Sequence, residues 1–282
     1  MQSTDSQTQP DVAESVKSSD GTTISYRTVG QGPALILIPG ALSMAVDYSD
    51  MANALASAFR VHTIERRGRG LSGPQGLHYG IARECEDVAA VQVATGAEYL
   101  FGHSYGGLVA LETARKNRGV RKLAVYEPGV SVDGLIPMGW FAAYERKLAQ
   151  NRPLDAFVEF CIAFAPERAQ RMPRLVMKVG VLVALGRQER ESRLRLLAQG
   201  LLEHKEVARL DNSFANYREV AAPALLMSGG KGGGKWVEAA IGRLSQVLPV
   251  SEQRTFPRLD HFGPDKTGPR DVAQALAAFL SS

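Results

Sequence analysis

A serine set between glycines at two-residue spacing, Gly102-x-Ser104-x-Gly106, is where this chain offers a nucleophile. The apolar run Ala97 to Phe101 before it predicts a short buried strand, and Leu108 to Lys116 after it predicts a helix. A strand that turns at once into a helix strains the residue at the turn, and glycine neighbours let the two backbones approach. The Ser104 hydroxyl then stands exposed above the strand ends, near a helix N-terminus. Such a hydroxyl attacks a carbonyl when a base takes its proton.

Five histidines could supply that base, namely His62, His78, His103, His204 and His261. His62 lies inside a predicted strand and reads as structural. His78 sits in a Gly-rich loop, and His204 in a charged helix where a solvated role is expected. His103 directly precedes the serine, and neighbours on so sharp a turn point apart, so it reads as a packing and hydrogen-bonding residue. His261 follows a predicted strand, lies in Leu259-Asp260-His261-Phe262-Gly263-Pro264 and precedes the last helix. From that loop it can lean over the strand ends toward Ser104.

The elements that must carry these residues alternate. Glu14 to Ser18 and Thr22 to Thr28 flank Asp20-Gly21, a hairpin signal. Ala34 to Ile38 is a continuous apolar run, as expected of a strand buried on both faces. Helix over Val46 to Ala58, strand over Arg60 to Ile64 and helix over Arg83 to Thr95 follow, then strands at Lys122 to Tyr126, Ala224 to Met227 and Ser251 to Phe256. Trp236 to Leu248 and Asp271 to Leu280 read as the last helices. The pattern predicts an α/β fold, a mostly parallel sheet with helices on both faces.

At 282 residues, 45% hydrophobic and 22% charged, the chain has the composition of a soluble globular protein. No apolar run has the length of a membrane span. Residues 1 to 12 read as a disordered tail with no secretory signal. Cys85 and Cys161 lack metal-ligand spacing and read as buried, inert thiols in a reduced, cytoplasmic compartment.

Between Val130 and Ser213 the alternation stops and helical patterns succeed one another, broken near Asn151-Arg152-Pro153, Pro166, Pro173 and Gly186. This divides the chain into a core of residues 13–129 and 214–282 and an inserted helical lid of residues 130–213. From Arg146 to Arg209 there are 13 Lys/Arg against 7 Asp/Glu, a surplus of 6, while the whole chain carries +4. That surplus reads either as a solvated helical surface or as a mouth favouring anionic substrates. The apolar stretch Leu175 to Val183 is expected to face the sheet, as lid core or as a pocket wall.

Taken together, Ile38-Pro39-Gly40-Ala41, Glu65-Arg66-Arg67-Gly68-Arg69-Gly70-Leu71-Ser72, Gly102-His103-Ser104-Tyr105-Gly106-Gly107 and Asp260-His261-Phe262, in this order, resemble the α/β-hydrolase family. The resemblance covers nearly everything from Val16 onward except the lid. It implies an eight-stranded α/β-hydrolase fold with the lid inserted after strand six. It also implies a nucleophile, a carboxylate and a histidine acting together. The carboxylate departs from the commoner family pattern, which places it after strand seven. There the chain reads Met227-Ser228-Gly229-Gly230-Lys231, with no acid before Glu238. Some relatives use a glutamate at the end of strand six instead, and Glu127 stands at that place. Asp260 is the competing acid, although its position beside His261 makes an Nδ1 contact awkward. By position, the backbone N–H groups of Ala41 and Tyr105 are the oxyanion donors.

The resemblance implies a serine hydrolase that cleaves an ester or related acyl substrate, apolar or anionic. A carbon–carbon bond hydrolase or lactonase with the same residues is the alternative, and a non-catalytic ligand-binding member of the fold is another. Two glycine motifs spell other functions but lack the neighbours those functions need. Gly229-x-x-x-x-Gly234-Lys235 has Trp236 where a phosphate loop needs Ser or Thr for magnesium, and reads as a mobile loop. Gly68-x-Gly70-x-x-Gly73 is followed by Pro74 and Gly76, so no helix opens to receive a dinucleotide. No cofactor, metal or nucleic acid is expected.

Overall fold

The computed structural model describes residues 12–165, 167–231 and 234–282. The expected tail lies outside them except for Val12, which already pairs in the first strand. Eight strands form one sheet: β1 Val12–Lys17, β2 Thr23–Val29, β3 Ala34–Ile38, β4 Arg60–Glu65, β5 Tyr99–His103, β6 Lys122–Tyr126, β7 Ala224–Gly229 and β8 Ser251–Phe256. Their order is β1-β2-β4-β3-β5-β6-β7-β8. The β1–β2 and β2–β4 pairs are antiparallel, and every other pair is parallel.

The apolar run of β3 explains the layering. Side chains alternate across a strand, so Ile36 and Ile38 enter one core while Leu35 and Leu37 enter the other. The first core is covered by α2 Ile81–Thr95, α3 Tyr105–Lys116 and, beyond the insertion, a helix at Gly234–Val247. The second is covered by α1 Ser49–Leu55 and the final helix, Pro269–Ser281. The helix expected over Val46 to Ala58 is shorter. A 3₁₀ turn at Ala45–Tyr48 precedes α1, held by the Met44 N–H donating to Asp47 Oδ2 at 2.8 Å.

Between β6 and β7 lie α4 Phe141–Ala149, α5 Pro153–Phe164, α6 Glu167–Gln170, α7 Arg174–Ala184, α8 Arg187–Arg195 and α9 Leu197–Arg209. Proline opens α5 at its first turn, and Pro173 and Gly186 stand immediately before α7 and α8, where a helix tolerates such residues. These helices share their own core around Trp140, Tyr144, Phe157 and Leu201. The apolar run 175–183 does not lie wholly against the sheet side. Met177 and Val181 face inward, but Leu175 and Val183 are exposed, so α7 presents apolar side chains outward as well as inward.

Candidate active site

Ser104 sits between β5 and α3 with φ 53° and ψ −121°, a left-handed turn rare for any residue with a side chain. Its glycine neighbours are required by contact. A Cβ on Gly102 would lie 2.3 Å from the Gly106 carbonyl oxygen, and one on Gly106 would lie 2.2 Å from that of Ile38. Glu127, directly after β6, also has positive φ (41°) and is fully buried. Strain of about 1–3 kcal/mol at each such position is characteristic of functional sites.

The two strained residues meet on one imidazole. His261 Nδ1 lies 2.7 Å from Glu127 Oε2, and His261 Nε2 lies 3.1 Å from Ser104 Oγ. A carboxylate only accepts, so Nδ1 carries the proton and Nε2 presents its lone pair to the serine hydroxyl. The other Glu127 oxygen, Oε1, accepts the Gly229 N–H at 2.8 Å. The glycine-rich end of β7 thus lends a backbone donor to the acid. Asp260 is engaged elsewhere: its Oδ1 accepts from the Phe262 N–H and the Thr267 hydroxyl.

The loop carrying His261 is pinned from below. Tyr126 Oη donates to the Asp260 carbonyl at 2.7 Å. His103 Nε2 donates to the His261 carbonyl at 2.7 Å, so its Nδ1 is the acceptor for the Tyr48 hydroxyl at 2.6 Å. That hydroxyl in turn accepts the Gly40 N–H at 3.0 Å. Burial holds the His103 pKa far below its ordinary value, which keeps the ring neutral in this chain of bonds.

Three buried arginines hold the loop after β3 by its carbonyls. Arg66 Nη1 donates to Gly40 at 3.0 Å, Arg193 Nη1 to Leu42 at 3.1 Å and Arg69 Nε to Ser43 at 2.9 Å. In a trans peptide the C=O and N–H point opposite ways. With the Gly40 carbonyl on Arg66, the Ala41 N–H is directed away from it. The Tyr105 N–H opens α3 and has no acceptor within the helix. Ala41, Ser104 and Tyr105 line one cavity with His261. Glu84 and Glu203 balance Arg66, and Glu203 also pairs with Arg69, so α9 is tied to the sheet by buried ion pairs.

That cavity, about 590 Å³, is closed on its far side by Phe157, Phe160 and Phe164 of α5 and by α7. Its two cations are already paired. Arg193 and Lys266 both contact Glu189. Cys161 also lines it. Both cysteines are free thiols and half-buried, not buried as the sequence reading expects. Burial still pushes each thiol up to about 12.

The remaining histidines divide. His62 is buried, takes part in a 2.9 Å hydrogen bond between its Nδ1 and Thr28 Oγ1, and is pushed down to about 4 by burial. His78 is exposed. His204 departs from the solvated role: its ring packs against Trp140, Phe160 and Phe164 and lines the cavity. The sequence does hold a signal for it. Leu197, Leu201, His204 and Val207 recur at helical spacing, which puts His204 on the apolar stripe of α9. Tyr48 and Arg193 carry no comparable signal.

Residues 232 and 233 of the Gly229-to-Lys235 loop lie outside the described residues. The Gly68-to-Gly73 segment forms a turn, and α2 begins only at Ile81. Among the described residues no group of three or more His, Cys, Asp or Glu side chains is placed to hold a metal ion. Nor is any described helix long and apolar enough to cross a membrane.

N-formylmaleamate deformylase of Pseudomonas putida is 32% identical over 148 residues, which is 49% of this chain and 55% of that enzyme. The match therefore spans about half of that relative's length. 2-(Acetamidomethylene)succinate hydrolase of Mesorhizobium japonicum is 22% identical over 267 residues, 92% of each chain. The crystal structure of an alpha/beta hydrolase from Sphaerobacter thermophilus superimposes with a TM-score of 0.80 at 27% identity, covering 95% of this chain and 100% of that one. The model of the alpha/beta hydrolase family matches residues 35–275, and the chain belongs to that family.

Proposed function

We propose that the protein is a serine hydrolase acting on an ester or related acyl group through an acyl-enzyme on Ser104. The observation that carries this is the continuous line Glu127–His261–Ser104, with bonds of 2.7 and 3.1 Å and a single consistent tautomer. His261 Nε2 takes the hydroxyl proton as Oγ attacks the carbonyl. Glu127 holds the Nδ1 proton and stabilises the imidazolium that forms. The Ala41 and Tyr105 N–H groups receive the oxyanion. His261 then returns its proton to the leaving group, and water repeats the sequence to release the acid.

The helices from α4 to α9 serve as the lid, and the acyl chain occupies the cavity beneath them. An uncharged, apolar acyl group suits that cavity, whose wall is built largely from Phe157, Phe160, Phe164, Met177 and Val181. The named substrates of the two relatives, a formylmaleamate and a succinate, are carboxylates. The cavity of this chain argues for a different substrate. Two unpaired thiols suit the cytoplasm. A non-catalytic binding module draws its support from the missing acid after β7. With Glu127 on His261, that support falls away.

Ser104→Ala tests the reading. Turnover of short p-nitrophenyl esters should fall by several orders of magnitude with the thermal melt unchanged. Ordinary activity in the variant would overturn it. A panel of diketones and lactones beside the esters separates carbon–carbon and lactone cleavage from ester cleavage.

A further inference from the structure

His204 lies in the cavity wall with one side of its ring accounted for. Nδ1 is 2.7 Å from the Gly200 carbonyl oxygen, one turn back on α9. A carbonyl has no proton to give, so Nδ1 is the donor. Burial lowers the pKa of this imidazole below its ordinary value, which favours the neutral ring. A neutral imidazole with its proton on Nδ1 carries its lone pair on Nε2. Among the described residues Nε2 has no hydrogen-bond partner, and the ring lines the same cavity as Ser104 and His261.

The surroundings make that lone pair specific. Trp140 and Phe160 stand edge-on to the ring at 5.3 and 5.2 Å, and Phe164 at 5.9 Å. These neighbours offer Nε2 no donor: the Trp140 indole N–H is committed to the Pro137 carbonyl at 2.8 Å. An acceptor in an apolar pocket gains from a ligand donor and loses when an apolar ligand displaces its water.

Resting on the serine-hydrolase reading, we infer that His204 is a specificity-determining residue whose Nε2 accepts a hydrogen bond from a hydroxyl on the acyl part of the substrate. The substrate class is an uncharged acyl group with an apolar, aromatic-compatible body and a hydroxyl set away from the scissile carbonyl. Phe157, Phe160 and Phe164 supply the apolar face, which favours an aryl ring through edge and offset contacts.

The test compares the p-nitrophenyl esters of 3-phenylpropanoate and of its meta- and para-hydroxy forms, by kcat/KM on the full-length protein. The better hydroxy isomer should exceed the unsubstituted ester by about tenfold, the scale of one hydrogen bond gained against an unpaired acceptor. His204→Phe should abolish that preference, bringing the ratio to one or below. His204→Gln places an amide oxygen near the Nε2 position and should restore a preference for the hydroxy ester. Equal rates for all three esters in the wild type would overturn the inference, as would an undiminished preference in His204→Phe. Failure of the serine-hydrolase reading looks different, because none of the three esters would then be cleaved.

Discussion

Glu127 reaches His261 from the end of β6, one strand away from the commoner place for the acid. Its Oε2 lies 2.7 Å from Nδ1, while Oε1 accepts the Gly229 N–H from the end of β7. The geometry explains why β7 can end in glycine. A side chain at Gly229 would collide with the loop that carries His261, since a Cβ there would sit 2.6 Å from the Leu259 carbonyl oxygen.

Replacing Glu127 by Gln should therefore invert the imidazole. The amide oxygen stays on the Gly229 N–H, and the NH₂ group then faces Nδ1 and demands its lone pair. Nε2 becomes the protonated nitrogen and no longer accepts from Ser104. We expect kcat on short p-nitrophenyl esters to fall by about 10²–10⁴-fold, with KM little changed. A variant within about twofold of the wild type would remove Glu127 from the mechanism.

Tyr48→Phe deletes one hydroxyl that serves two loops. It accepts from Gly40, beside Ala41, and donates to His103, which holds the His261 carbonyl. The site is fully buried, so the unmet partners should cost about 1–3 kcal/mol of stability. A chemical melt should show that loss, and kcat should fall with it. Unchanged stability would mean that the two loops are held independently.

Much of this is legible in the residues. The Ile36/Leu37 alternation, the glycines around Ser104 and the loop position of His261 each follow from local rules. Glu127 comes from the resemblance, since some relatives place a glutamate at the end of strand six and β7 here offers no acid. What stays hidden depends on distant parts of the chain meeting. The Arg193 guanidinium crosses from the insertion to the Leu42 carbonyl, 151 residues away in sequence. The Tyr48 hydroxyl likewise reaches His103 across 55. Charge pairing across the insertion is hidden in the same way. Arg193 of the insertion lies at the cavity but pairs with Glu189, a carboxylate it shares with Lys266 of the core.

Asp265 supplies a pH test. Neither of its carboxylate oxygens has a partner among the described residues, and burial raises its pKa to about 6. The folded state then binds a proton more tightly than the unfolded chain, whose Asp titrates at about 3.9. Its contribution to stability is present below about pH 4 and is lost as pH rises through about 6. The melting temperature of Asp265→Asn relative to wild type should therefore climb between pH 4 and pH 6.5 and then level. A flat difference would show that Asp265 titrates normally.

Cys161 tests the cavity as the acyl site. It lines the wall beside Phe160, and Cys161→Phe adds a ring where the acyl chain should lie. We expect kcat/KM for the 3-phenylpropanoate ester to drop at least about tenfold while the acetate ester changes by less than about threefold. Equal losses on both esters would place the acyl group elsewhere.

Covalent labelling reads the role of Ser104 as nucleophile without any assumption about substrate. Wild-type protein treated with a fluorophosphonate should gain the mass of one phosphonyl group, mapped to the peptide containing Ser104. Ser104→Ala should gain none. Absence of an adduct on the folded wild-type protein, or an adduct that persists in Ser104→Ala, would show that Ser104 is not the nucleophile.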